Sequence, residues 1–130
     1  MNIGFGSKRK TILLVDTDPH ARAALRNALE AAGFSVGEAA NGREGARTTV
    51  RIKPDAILAD LMMEAMDDSG TTTGRFREAG PNIPFYVVST ASDALVGAVG
   101  LHEMGICGVF LKPVDSAIVI QTLKTRLGMN

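Results

Sequence analysis

The chain has one cysteine, no net charge and no long apolar run, and each shortage removes a class of protein. Cys107 alone allows no internal disulfide and no cysteine-based zinc site, which fits a reducing compartment. Fourteen basic residues balance fourteen acidic ones, so no electrostatic footprint for nucleic acid or an anionic membrane is visible. The basic triplet Lys8-Arg9-Lys10 precedes an apolar run of only five residues, Thr11 to Val15, too short for a secretory signal or a membrane span. A cytoplasmic protein is expected. No repeat, low-complexity tract or interdomain linker is visible, and 130 residues suffice for one domain with a sizeable core, not for two.

What the chain does have is a series of short apolar runs that end in polar residues. Thr11-Ile12-Leu13-Leu14-Val15 runs into Asp16-Thr17-Asp18, Ala56 to Ala59 into Asp60, Phe85 to Val88 into Ser89-Thr90, and Cys107 to Leu111 into Lys112-Pro113. Runs without alternation suit strands buried on both faces. Phe34 to Glu38 alternates and reads as a short edge strand.

Between the strands lie helical patterns. Asp18-Pro19 reads as an N-cap with proline at the first helical position, Ala21, Ala24, Leu25, Ala28, Leu29 and Ala32 form one stripe, and Gly33 is the stop. A weaker helix over Arg43 to Ile52 would turn Ala46 and Val50 inward and Arg43, Arg47 and Arg51 outward. A short helix is expected near Ser69 to Glu78, another weakened by Gly97 and Gly100 over Asp93 to Met104, and a last one capped by Asp115 with Val119, Leu123 and Leu127 on one face. Five strands alternating with five helices predict an α/β, doubly wound parallel sheet of strand order 2-1-3-4-5 over residues 11–128, after a flexible lead-in over 1–10.

In such a sheet the crevice outside the carboxyl ends of the strands collects the chemistry. Asp16 and Asp60 would stand side by side there, and two clustered carboxylates repel unless a cation or proton intervenes, so a hard divalent metal such as magnesium is expected. A lysine from the fifth strand and a hydroxyl from the fourth would complete a phosphoryl-binding pocket with Asp60 as nucleophile.

At these residues the sequence resembles the response-regulator receiver domains of bacterial two-component signalling, over about residues 10–128. The matching segments are Ile12 to Asp16, Pro54 to Met62, Met66-Asp67, Ile83-Pro84 through Ser89, and Lys112-Pro113. The resemblance implies that Asp60 is the phosphoacceptor, that Asp16, Asp60 and the backbone carbonyl of Met62 form a magnesium site, and that Ser89 is the hydroxyl that follows the phosphoryl group. It further implies that Lys112 is the counter-ion and that the Lys112-Pro113 bond is cis. The implied partners are a histidine kinase or phosphotransfer protein and a downstream protein target, with a homodimer left open, and the implied role is that of a signalling switch rather than an enzyme.

Four positions depart from the family pattern. Thr17 stands where a second acid is usual, which predicts weaker magnesium binding, Glu64-Ala65 replaces a proline and glycine, and Val109 replaces an aromatic ring. Thr17 also keeps open a receiver that is not phosphorylated and acts as an interaction module. Asp16-Thr17-Asp18 further resembles the first motif of haloacid-dehalogenase-type phosphatases, with Asp16 as nucleophile and Asp18 as general acid/base. Against these stand plainer readings: Asp18 as a helix cap, Thr90 competing with Ser89, Cys107 as a small core residue, and Arg43, Arg47 and Arg51 as a solvated face.

Overall fold

The structure, a computed structural model, describes residues 9–60, 76, 78–90 and 106–129. Its elements are β1 (Thr11–Val15), α1 (Pro19–Ala31), β2 (Ser35–Ala39), α2 (Gly42–Ile52), β3 (Ala56–Asp60), β4 (Phe85–Ser89), β5 (Gly108–Leu111) and α3 (Ser116–Arg126). The five strands form one parallel sheet in the order β2-β1-β3-β4-β5, as the apolar runs predict. The helices expected over 93–104 and, for the most part, near 69–78 lie outside the described residues, as do Met62 and residues 1–8 of the lead-in.

The strands that read as uniformly apolar are the buried ones: every residue of β3 and β4 is buried. Alternate side chains go to opposite faces of the sheet and build two cores. On one face Ile12, Leu14, Leu58, Tyr86 and Val88 pack with Leu29 of α1 and with Val119 and Leu123 of α3. On the other, Leu13, Val15, Ile57, Ala59 and Val87 pack with Phe76 and Phe85, whose rings meet at 5.1 Å and 58°. Each fully buried aliphatic or aromatic side chain contributes about 1.5–3 kcal/mol, so these two layers carry most of the stability.

The helix boundaries follow from their caps. Asp18 accepts hydrogen bonds from the N–H groups of His20 and Ala21, Pro19 occupies the first turn, and Asp115 does the same for α3 through Ala117. At the far end of α1, Gly33 takes φ +103°, and the N–H of Phe34 reaches back to the Leu29 carbonyl, a left-handed stop that glycine makes without strain.

Three sequence expectations are corrected. Val50 does not point inward but is 60% exposed. The inward positions of α2 are instead Gly42, Gly45, Thr48 and Thr49: the two threonines donate to the carbonyls of Glu44 and Gly45, and a Cβ on Gly45 would lie 2.6 Å from the Phe76 ring. The helix approaches the sheet through small and self-satisfied residues, which carry no hydrophobic signal. Cys107 is exposed rather than in the core, because β5 begins one residue later, at Gly108. Within the predicted stripe of α1, Ala21 and Ala24 are exposed, and Leu29 is the residue that is buried.

Candidate functional site at the carboxyl edge of the sheet

Register brings the strand ends together. Val15 pairs with Ala59, so Asp16 and Asp60 are the next residues on adjacent strands; Asp60 pairs with Val88 and Ser89 with Leu111. The N–H of Lys112 donates to the Ser89 carbonyl at 2.8 Å, which carries the β4–β5 pairing one residue past the strand.

Asp60 closes β3 and is only 6% exposed, an expensive place for a carboxylate unless it is paired. Its Oδ2 accepts from Lys112 Nζ at 2.8 Å, across the intervening strand β4. The Lys112-Pro113 peptide bond is cis. Ser89 is 1% exposed, and its hydroxyl donates to the Thr90 carbonyl at 3.0 Å, whereas Thr90 is exposed.

Asp16 is held differently. Its N–H donates to the Ala39 carbonyl at 3.1 Å, continuing the β1–β2 pairing, and its Oδ1 accepts from the N–H of Asp18 at 2.8 Å. Burial pushes its carboxyl above the ordinary value; the bond from Asp18 pulls it back, the negative charge of Asp60 pushes it up again, and Lys112 offsets part of that. Two interacting acids with oxygen donors fit a hard cation such as magnesium, which takes one or two carboxylates and keeps several waters. Thr17 is exposed and brings no carboxylate, and among the described residues no three metal-ligating side chains converge. The donor set therefore fits magnesium with one acid fewer than an adjacent pair would give.

Asp18, the second acid of the alternative phosphatase reading, has an oxygen committed to capping α1. Val109 faces the core layer that contains Phe76, and the neighbouring Phe110 stacks on Tyr86 on the opposite face, so the ring at 110 does not replace the missing ring at 109. A cleft of about 440 Å³ opens between α1 and the start of α3, with Asp16, Ala21, Leu25, Lys112 and Pro113 in its wall.

Sequence reasoning passed over Arg22. Its side chain is 18% exposed, pairs with Glu38 of β2 and also donates to the main-chain carbonyl of Asp16. The signal that was there is a polar Glu38 in a short strand together with Arg22 and Arg26 on one face of α1.

A sheet wound in this order, with acids at the switch point between β1 and β3, is of the flavodoxin-like class. Comparison with known proteins narrows this: residues 12–124 match the response regulator receiver domain, and the chain belongs to that family of two-component signalling modules. Among curated relatives, the transcriptional regulatory protein GlrR of Escherichia coli is 32% identical over 116 residues, covering 89% of this chain and 26% of that protein. PrrA of Mycobacterium tuberculosis is 32% identical over 127 residues, covering 98% of this chain and 53% of that protein. The chain thus spans about a quarter to about half the length of these relatives. A putative response regulator from Chloroflexus aurantiacus superposes with a TM-score of 0.79 at 26% identity, over 93% of this chain and 99% of that one. The chemotaxis regulator CheY4 of Vibrio cholerae shares the fold, with a TM-score of 0.75 at 23% identity over 91% of this chain and 98% of that one. Among the described residues, no helix is long and apolar enough to cross a membrane.

Proposed function

We propose that the chain is a phosphoacceptor switch, in which a carboxylate oxygen of Asp60 attacks the phosphorus of a phosphohistidine on a kinase or phosphotransfer protein. The new bond is Asp60 oxygen to phosphorus, the bond that breaks is phosphorus to the donor's imidazole nitrogen, and the imidazole leaves with the electron pair. The observation that carries this reading is the buried Asp60 held at 2.8 Å by Lys112, a cation positioned to stay with the phosphoryl oxygens as charge moves onto them. Ser89, buried at the end of β4, is the hydroxyl that would turn from the Thr90 carbonyl toward the phosphoryl group.

Asp16 and Asp60, with the Met62 carbonyl, are the proposed magnesium donors. The metal would supply charge neutralisation between the acids and the incoming phosphoryl oxygens. The proposed output is contact with a downstream protein target from the cytoplasm, without catalysis of a further reaction and without nucleic acid binding by these residues. Incubation with a small acyl phosphate and magnesium, followed by intact mass measurement, tests this reading. One added phosphoryl group on the wild type and none on Asp60→Asn is the expected result. No label on either protein would favour an unphosphorylated interaction module, the reading that Thr17 keeps open.

A further inference from the structure

Asp16 sits on a loop of three residues between β1 and α1, and three of its polar atoms are tied. Its N–H goes to Ala39 of β2, its Oδ1 accepts from Asp18, and its main-chain carbonyl accepts from a terminal nitrogen of Arg22 at 2.5 Å. Arg22 is itself fixed. Its Nε–H donates to Glu38 Oε1 at 2.7 Å, and its backbone N–H donates to the Asp18 carbonyl at 3.0 Å. Glu38 is held from the other side by Arg26, so the acid is gripped by two guanidinium groups and sets the plane of the Arg22 fork.

Two roles are available to Arg22. The pair with Glu38 alone knits α1 to the edge strand, and that would be a purely structural contact. The bond to the Asp16 carbonyl is not needed for the knit: it ties the backbone of the residue whose carboxylate feels the charge of Asp60. A loop carrying one carboxylate fewer than an adjacent pair depends more on where its remaining acid is held.

We propose that Arg22 is a positioning residue, which clamps the Asp16 main chain so that the Asp16 carboxylate stays within reach of Asp60 and of a divalent cation shared with it. The inference rests on the phosphoacceptor reading of this edge. Groups that orient metal ligands from behind affect metal affinity by about tenfold or more when removed.

The test measures the midpoint of magnesium binding by isothermal titration calorimetry, Tm with and without magnesium, and separately the rate of labelling by acyl phosphate, in wild type, Arg22→Met, Arg22→Lys and Glu38→Gln. A cation that binds only the folded chain stabilises it by an amount that grows with the logarithm of its concentration over its dissociation constant and does not saturate, so the calorimetric midpoint reads binding without turnover while Tm reads stability. Arg22→Met is expected to raise the magnesium midpoint about tenfold, and Arg22→Lys, which keeps the charge and one donor direction, to recover part of it. Glu38→Gln is expected to lower the metal-free Tm while leaving the midpoint within about twofold of wild type, because Arg22 keeps its bond to the Asp16 carbonyl.

Equal losses of Tm in Arg22→Met and Glu38→Gln, with both midpoints within about twofold of wild type, would overturn the inference and leave Arg22 as a knit between α1 and β2. If Arg22→Met does not fold, an unchanged midpoint in Arg22→Lys overturns it. A wild type that is neither labelled nor stabilised by magnesium overturns the phosphoacceptor reading and this inference together, whereas a labelled wild type with an indifferent Arg22 overturns this inference alone.

Discussion

Asp60 and Asp16 are acids at the ends of neighbouring strands, yet the protein holds them in opposite ways. Asp60 is the last residue of its strand, 6% exposed and paired with a side-chain ammonium from across the sheet. Asp16 lies one residue past its strand, fixed through its main chain and by a bond from the next turn, with its carboxyl raised first by burial and then by Asp60. One carboxylate has a cation built in; the other sits in a field that another cation would relieve. The phosphoryl acceptor and the metal ligand proposed here would need different settings, and one sheet edge holds two acids in two such settings.

The largest effect expected from breaking this contrast is at Lys112. Lys112→Met takes the ammonium from a buried carboxylate and should cost about 2 kcal/mol in urea unfolding, less than for a fully buried pair because the lysine side chain is 36% exposed. Asp60→Asn, which removes the charge together with the pair, should cost less than Lys112→Met. Equal costs would mean that the pair is a surface contact of no special weight.

At Asp16 the sign reverses. Asp16→Asn keeps an oxygen for the Asp18 N–H and removes a charge that burial and Asp60 oppose, so the metal-free protein should gain about 1 kcal/mol, as functional sites commonly do when their strain is removed. The accompanying pH dependence follows from the direction of the shift. A raised carboxyl binds its proton more readily in the folded chain than in the unfolded one, so its cost is present at neutral pH and is relieved as the pH falls through the folded value. Glu38 runs the other way: the bond from Arg22 holds its carboxyl below the ordinary value, so its stabilisation is present above the unfolded value and lost as the pH falls through the folded one. Tm measured from about pH 7 to about pH 4 should therefore fall more steeply in Asp16→Asn and less steeply in Glu38→Gln than in wild type.

The smallest effect should come from Thr17→Asp. An added carboxylate beside Asp16 raises the attraction for a hard cation, and the magnesium midpoint should drop by about fivefold. An unchanged or weaker midpoint would show that the single acid at Asp16 is not what limits the site.

Much of this was legible in the chain. The unbroken apolar runs named the strands and their order, because strands buried on both faces leave little room for polar residues, and Asp16, Asp60, Ser89 and Lys112 stood out as the polar residues that end those runs. The caps at Asp18 and Asp115 read directly from residue type. The inward face of α2 did not, because glycine and threonine bury without a hydrophobic pattern. Nor did the Arg22–Glu38 link, since it joins a helix to an edge strand sixteen residues away and in sequence looks like ordinary surface charge. Cys107 misled through a strand boundary one residue off.

The most direct test of the central claim is to locate the phosphoryl group itself. Wild-type protein labelled with acyl phosphate and magnesium, then reduced with borohydride, converts an aspartyl phosphate to homoserine that a peptide map can place. The account predicts homoserine at position 60 and none at position 16; homoserine at position 16, or a stable phosphate on Ser89 with position 60 unmodified, would contradict it.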